Sequence, residues 1–409
     1  MSETRNYLVT KIAEPEALGA AYADSLERLP GTETDLAPDL PVIVKLREMT
    51  EDEAEKVRAR GHIASVEESK IASVPEPEVV AQAAEQLDPE EVRNLCGFAA
   101  AYKAGGTGKG RKIAIIDTGY SEATKRELGA RIVGAKSRIQ GEDALNPEDS
   151  HGDWVLQIVA YLLPDAEFLV LKGLSYPGGS GSYDAIIGCV SDARAMGATE
   201  ANMSLGGPAS SAMDAAVDSA DAAGLLVGVA AGNEQRGKAE TDYLADRTSP
   251  ARAKGVLTVA AAESHLHVAA FSNRGTSVDV SAPGMTIKAP NVERYWSGTS
   301  MACPVLVAAC GAVASTGKTK AEVKQLVLSR ARDTAASPAA EGQGFVDLAA
   351  VFAPAPERPA PAPKPAPGVP TMSRWKESRT KSKDLPERFV MTDKEYAFDC
   401  TRTRPPAGK

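Results

Sequence analysis

Ser300 sits in Ser297-Gly298-Thr299-Ser300-Met301-Ala302-Cys303-Pro304, immediately before the apolar run Val305-Leu306-Val307-Ala308-Ala309-Cys310. One side-chain oxygen is enough to cap a helix, so this cluster offers more than a cap requires. At a helix N-terminus a serine lies among backbone donors and at the positive end of the helix dipole. Its hydroxyl becomes a nucleophile when an imidazole takes the proton, and the imidazole needs a carboxylate to fix its tautomer and stabilise its charged form. Both partners stand at element ends. Asp117 closes the apolar stretch Ile113-Ala114-Ile115-Ile116, with Gly119 behind it for a tight exit. His151, one of four histidines with His62, His265 and His267, opens a helix whose apolar positions Val155, Ile158, Val159 and Leu162 follow i, i+3, i+4, i+7 spacing. Asn233, in Val229-Ala230-Ala231-Gly232-Asn233-Glu234, brings an uncharged N–H donor to another strand end, suited to an oxyanion that exists only in a tetrahedral intermediate. A lone Asp-x-Gly is ordinarily a turn, and a lone His ahead of a helix is as often a cap. Together the four residues fill the roles of acyl transfer: nucleophile, base, orienting acid and oxyanion donor.

The elements that must bring them together lie in residues 95–352. Short apolar strands read at Ile113-Ala114-Ile115-Ile116, Phe168-Leu169-Val170-Leu171, Ala201-Asn202-Met203, Leu225-Leu226-Val227-Gly228-Val229 and Val256-Leu257-Thr258-Val259, alternating with helices. Near-continuous apolar strands are those covered on both faces, so the expected fold is α/β with a doubly wound, mostly parallel sheet. Such sheets bind ligands beyond the carboxyl ends of their strands, where the polar residues fall. Residues 1–75 read as a small α+β unit: a strand at Tyr7-Leu8-Val9, a helix over about 15–29, a strand at Val42-Ile43-Val44, a charged helix capped near Thr50 and a strand at Ile63-Ala64-Ser65-Val66. Residues 76–94 read as a linker, residues 353–370 as a Pro/Ala-rich spacer with 8 prolines, and residues 371–409 as a basic tail to which no partner is assigned.

The ordered set GKGRKIAIIDTG, SHGD, FLVLKGL, GSGSYDAI, ANMSLGG, VAAGNE, FSNRG with VDVSAPG, SGTSMACP and GQGFVDLAAV resembles the subtilisin-like serine proteases, in that family's order of Asp, His, Asn, Ser. The resemblance implies a serine endopeptidase in which Ser300 attacks the scissile carbonyl, His151 is general base then acid, Asp117 orients His151, and Asn233 with the Ser300 backbone N–H forms the oxyanion hole. It implies further that Ser204, Leu205 and Gly206, with Gly179, Ser180 and Gly181, pair with the backbone of an extended polypeptide substrate. The N-terminal unit is similar to the family's propeptide, most clearly in GHIASVEESKIASV. It is therefore expected to assist folding, to inhibit by occupying the cleft, and to be removed by a cut somewhere in residues 72–88. Asp153 and Trp154 stand where the family has Thr and His, Cys303 and Val305 where it has Ser and His. Asp153 is expected to raise the pKa of His151. The helix after His151 runs through Leu162-Leu163-Pro164-Asp165-Ala166 straight into the next strand, so the calcium loop many relatives carry there is expected to be missing, and no metal or other cofactor is expected.

Composition narrows the alternatives. Net charge is −9, with −11 in residues 1–90 and +4 in residues 371–409, and no basic stripe marks a nucleic-acid binder. No apolar run is long enough to span a bilayer. The N-terminus lacks the basic and apolar regions of a secretory signal, and five cysteines without CxxC spacing suit a reducing interior. The expectation is an intracellular protein or one carried by a virus particle. GGTGKG at 105–110 lacks phosphate-loop spacing and reads as a turn. His265-Leu266-His267 supplies two imidazoles without further zinc ligands, and Cys303 lies a helical turn beyond the donors. The competing function is a binding or scaffold protein that keeps the fold without turnover.

Overall fold

The computed structural model describes residues 4–11, 33–36, 43–59, 63–74, 86–148, 150–290 and 295–353. Seven parallel strands form the central sheet, in the spatial order Val280–Pro283, Leu257–Ala262, Leu226–Ala230, Glu200–Met203, Lys112–Asp117, Glu167–Lys172, Ile132–Ser137. Five of these are the strands the apolar runs predict. The other two are the sheet's edges: Ile132–Ser137 alternates half-buried with exposed residues, and Val280–Pro283 has only four residues. Neither carries the unbroken apolar run by which a strand buried on both faces is recognised.

Successive residues of a strand point to opposite faces, and both faces here are apolar. Ile113, Ile115, Phe168 and Val170 face helices His151–Leu162 and Thr299–Ala314. Ala114, Ile116, Leu169 and Leu171 face helices Tyr183–Ala195 and Ser211–Ala222. Every residue of Thr299–Ala314 is buried, which explains its unbroken apolar sequence. The core on the first face also takes in Leu87 and, from helix Pro89–Leu95, Val92, both inside the stretch read as linker.

The N-terminal unit is a four-stranded antiparallel sheet ordered Glu33–Asp35, Ile43–Met49, Arg5–Lys11, Ile63–Glu68, with helix Glu51–Arg58 on one face. Thr50 and Glu53 close that helix's first turn by capping each other's backbone N–H groups. The expected helix over 15–29 lies outside the described residues, as do His62, the spacer and the tail. Tyr7 and Val9 point to the unit's own helix, whereas Leu8 and Val44 join the core around Met213 and Val217 of the main domain. Residues 1–354 accordingly form one unit.

The helix that begins at His151 ends at Leu162, and the next strand starts at Glu167. The Arg131 guanidinium donates to the carbonyl oxygens of Ala160, Leu163 and Ala166 at 3.1, 2.5 and 3.0 Å. Fixed positive charge thus already serves the carbonyls at this helix end. Among the described residues no group of three or more His, Cys, Asp or Glu side chains is arranged to hold a metal. No described helix is long and apolar enough to cross a membrane.

Candidate active site

Asp117 is the last residue of its strand and is fully buried. Its Oδ1 accepts from the Thr118 N–H at 2.7 Å, and both carboxylate oxygens face His151 Nδ1, at 2.9 and 3.0 Å. That contact fixes the imidazole so that Nε2 points away from the acid, the orientation a general base needs. Further ties hold the strand end and the helix start in register. Thr118 Oγ1 accepts from Gly152 N–H at 2.9 Å, and a Cβ at Gly152 would lie 2.2 Å from the Gly119 carbonyl oxygen, so glycine is required there. Asn146 donates to the Thr118 carbonyl at 2.8 Å and to Ser150 Oγ at 3.1 Å, while its own Oδ1 accepts from buried Lys172 at 2.5 Å.

Asp153, expected to act on His151 as a nearby charge, is committed to the backbone. Its Oδ2 accepts from Ser150 N–H at 2.7 Å and Ser150 Oγ at 2.9 Å, and its Oδ1 from Ser121 N–H at 2.7 Å. A carboxylate in the first turn suits the helix dipole. What touches the His151 ring instead is aromatic: Trp296 meets it edge-on at 5.9 Å between centroids, and Trp154 packs on Trp296 at 4.3 Å. Trp154 follows His151 by three residues and so shares its side of the helix. Nothing in the sequence links either residue to Trp296.

Ser300 is the second residue of helix Thr299–Ala314. Pro304 has no N–H to give to the Ser300 carbonyl, and Ser204 Oγ donates to that oxygen instead, at 2.9 Å. The Ser300 hydroxyl returns the contact, donating to the Ser204 carbonyl at 3.3 Å. His151 Nε2 is buried and has no hydrogen-bond partner among the described residues. The structure therefore joins Asp117 to His151 and Ser300 to Ser204, and the hydroxyl rests on a carbonyl rather than on the imidazole.

Asn233 Oδ1 accepts from Thr299 N–H and Thr299 Oγ1, both at 2.9 Å, which fixes the amide so that Nδ2 lies beside Gly298, 3.0 Å from where a Cβ would stand. Gly232 makes the turn with φ 99°, and a side chain there would meet Asn273 Nδ2 at 2.4 Å. Cys303 is fully buried, and burial pushes its thiol up to about 12, which leaves no thiolate to act as a nucleophile.

The residues expected to pair with substrate backbone are engaged by the chain itself. Strand Ile71–Ser73 runs antiparallel to Ser180–Ser182, with Ser73 opposite Ser180 and Ala72 opposite Gly181. Val74 N–H donates to the Gly179 carbonyl at 2.9 Å. On the other side Ser73 and Gly206 exchange both backbone hydrogen bonds, at 3.0 and 3.1 Å. Just above this strand, Glu67 Oε1 accepts from Ala212 N–H and Ser210 Oγ, both at 2.7 Å, at the start of helix Ser211–Ala222.

Comparison with known proteins identifies the family. The sequence model of the subtilase family matches residues 108–346. Subtilisin DY of Bacillus licheniformis is 34% identical over 217 residues, covering 50% of this chain and 76% of that protein. An intracellular serine protease of Paenibacillus polymyxa is 32% identical over 269 residues, 60% of this chain and 81% of its own. A thermostable alkaline protease of Halalkalibacterium halodurans is 29% identical over 362 residues, 84% of this chain and 91% of its own. From the strand-end carboxylate to the serine at the mouth of a buried helix, this chain belongs to the subtilase family of serine endopeptidases.

Proposed function

We propose that Asp117, His151 and Ser300 are the catalytic triad, that Asn233 and the Ser300 backbone N–H hold the oxyanion, and that the chain is a precursor processed by its own activity. The observation that carries this is the Asp117–His151 contact at 2.9 and 3.0 Å, buried and within one fold layer of a serine at a helix N-terminus. In the reaction the Ser300 hydroxyl leaves the Ser204 carbonyl for His151 Nε2, which takes its proton as Oγ attacks the peptide carbonyl. The carbonyl oxygen becomes an oxyanion and accepts from Asn233 Nδ2 and the Ser300 N–H. His151 then gives its proton to the departing amine, leaving an acyl ester on Ser300. Water enters, loses a proton to His151, and releases the new carboxyl group with the serine restored.

Substrates are extended polypeptides that add a strand between residues 179–182 and 204–206, and the N-terminal unit blocks that place while it is attached. Strand Ile71–Ser73 supports this reading because it already uses the same backbone groups. The unit's further roles as a folding aid and as a segment removed within residues 72–88 follow from the same docking. Calcium after the His151 helix has no part in this reading, so a chelator is expected to leave the melting temperature where it is.

The test is labelling with a fluorophosphonate probe together with hydrolysis of an unstructured peptide. Both are expected in the wild-type protein and both are expected to vanish in Ser300→Ala. A folded wild-type protein that neither labels nor hydrolyses would be the inert scaffold instead.

A further inference from the structure

An amide that must meet an oxyanion has to be aimed before the charge forms, because a donor already in place costs no reorganisation in the transition state. Asn233 lies just beyond strand Leu226–Ala230, in a turn that follows Gly232 at φ 99°. Thr299 fixes the side-chain end of Asn233. The backbone end is fixed from a different segment, by Asn273 of Phe271-Ser272-Asn273-Arg274-Gly275. The Asn273 N–H donates to the Gly232 carbonyl at 2.9 Å, and Asn273 Oδ1 accepts from the Glu234 N–H at 2.8 Å. Those two groups belong to the peptide units immediately before and after Asn233. Asn273 Nδ2 donates to Glu234 Oε2 at 2.5 Å, so the oxygen and the nitrogen of its amide are both engaged. Asn273 is fully buried, and its amide has no solvent to turn to. One more tie holds the two segments together, from the Gln235 N–H to the Phe271 carbonyl at 3.0 Å.

We propose that Asn273 is a positioning residue of the oxyanion hole: by clamping the peptide units on either side of Asn233, it aims Asn233 Nδ2 at the oxygen that becomes charged. This rests on the proposed protease function and deepens it. Asn273 touches neither substrate nor Ser300 and acts through Asn233 alone, which has two consequences. Its loss costs kcat and spares KM, because the interaction it prepares is made with a charge that the bound substrate does not yet carry. Its loss also costs nothing further once Asn233 has been removed. The side chain must offer an acceptor and a donor together. Aspartate supplies the acceptor for the Glu234 N–H but sets a second carboxylate against that of Glu234, and an apolar residue supplies neither.

A double-mutant cycle on the full-length chain tests this. Wild type, Asn233→Ala, Asn273→Ala and the double variant hydrolyse one unstructured peptide, with kcat taken per chain that labels with a fluorophosphonate probe, so that misfolded protein does not count. Asn233→Ala is expected to lower kcat about 10²–10³-fold, the established size for one oxyanion donor. Asn273→Ala is expected to lower kcat about tenfold at unchanged KM in the wild-type background, and by less than about twofold in the Asn233→Ala background. The same factor in both backgrounds overturns the proposal, because a residue that merely supports the fold acts alike with or without Asn233. A loss confined to KM, or none, overturns it too. Should Asn273→Ala fail to fold, an exchange decides. Asn273→Asp sets two carboxylates face to face, and adding Glu234→Gln returns an acceptor and a donor to the same place. The single change is expected to slow turnover and the pair to bring kcat back to within about threefold of wild type; a pair that stays as slow as the single change overturns the proposal. A folded wild-type chain that neither labels nor hydrolyses overturns the protease reading itself, whereas an active wild type with equal factors in the cycle overturns this proposal alone.

Discussion

Asp117 and Asp279 show how little residue type alone says about an acid. Asp117 is fully buried and holds His151. Its replacement by Asn leaves the geometry intact but favours the wrong imidazole tautomer, so Asp117→Asn is expected to lower kcat about 10⁴-fold with little change in KM or melting temperature. Steady-state kinetics and a thermal melt check this. Asp279 is also largely buried; it accepts from the Thr258 N–H at 2.7 Å, and burial raises its carboxyl to about 6 against the opposing pull of Thr258 and Lys324. A raised carboxyl binds its proton more tightly in the folded chain than in the unfolded one. Its contribution to stability therefore falls as pH rises from about 4 to about 6, and is flat above. Asp279→Asn keeps an acceptor for Thr258 and removes the charge. The variant's advantage over wild type should open across that interval and reach up to about 3 kcal/mol at neutral pH, as denaturant unfolding at pH 4 and pH 7 would reveal.

At the scale of elements, helix ends carry much of the design. Arg131 meets three carbonyl oxygens at the end of the His151 helix and lies over the Phe168 ring at 5.0 Å. Arg131→Met retains apolar bulk but takes the guanidinium from those carbonyls, of which Leu163's keeps the Ala166 N–H, and a loss of about 2 kcal/mol is expected in chemical unfolding. Glu67, from the N-terminal sheet, does the corresponding work at the start of helix Ser211–Ala222. Sequence reading reached the buried elements and stopped at the marginal ones. The five interior strands were legible because both their faces are apolar, whereas Ile132–Ser137 and Val280–Pro283 look like loops to any periodicity argument. Helix Pro89–Leu95 was hidden in a proline-containing acidic stretch, although Asp88 and Pro89 are suitable first residues for a helix. Of the site, element ends gave Asp117, His151, Asn233 and Ser300. Contacts between side chains far apart in sequence, such as Trp296 on His151 or Lys172 on Asn146, leave no local pattern to read.

For the molecule as a whole, the N-terminal unit shares a core with the main domain. Leu8, Leu36 and Val44 complete a core whose other members include Met213, Ala216 and Val217. A cut in the proposed window of residues 72–88 that leaves Ala72 and Leu87 in place would sever the chain without removing that packing, so the two pieces are expected to elute together in size-exclusion chromatography. Glu67→Ala, which strips the acceptor from the start of helix Ser211–Ala222, should weaken their association about tenfold, as a dilution series would register.

The backbone of Leu87 exchanges hydrogen bonds with Thr286 and Lys288, at 2.9 and 3.0 Å. If the chain is cut upstream as proposed, this small clasp would keep the new terminus moored to Ile287–Lys288, which pairs antiparallel with Tyr295–Trp296. The mooring would outlast the cut, and the trimmed chain would keep Leu87 in place beside the pair of strands that carries Trp296.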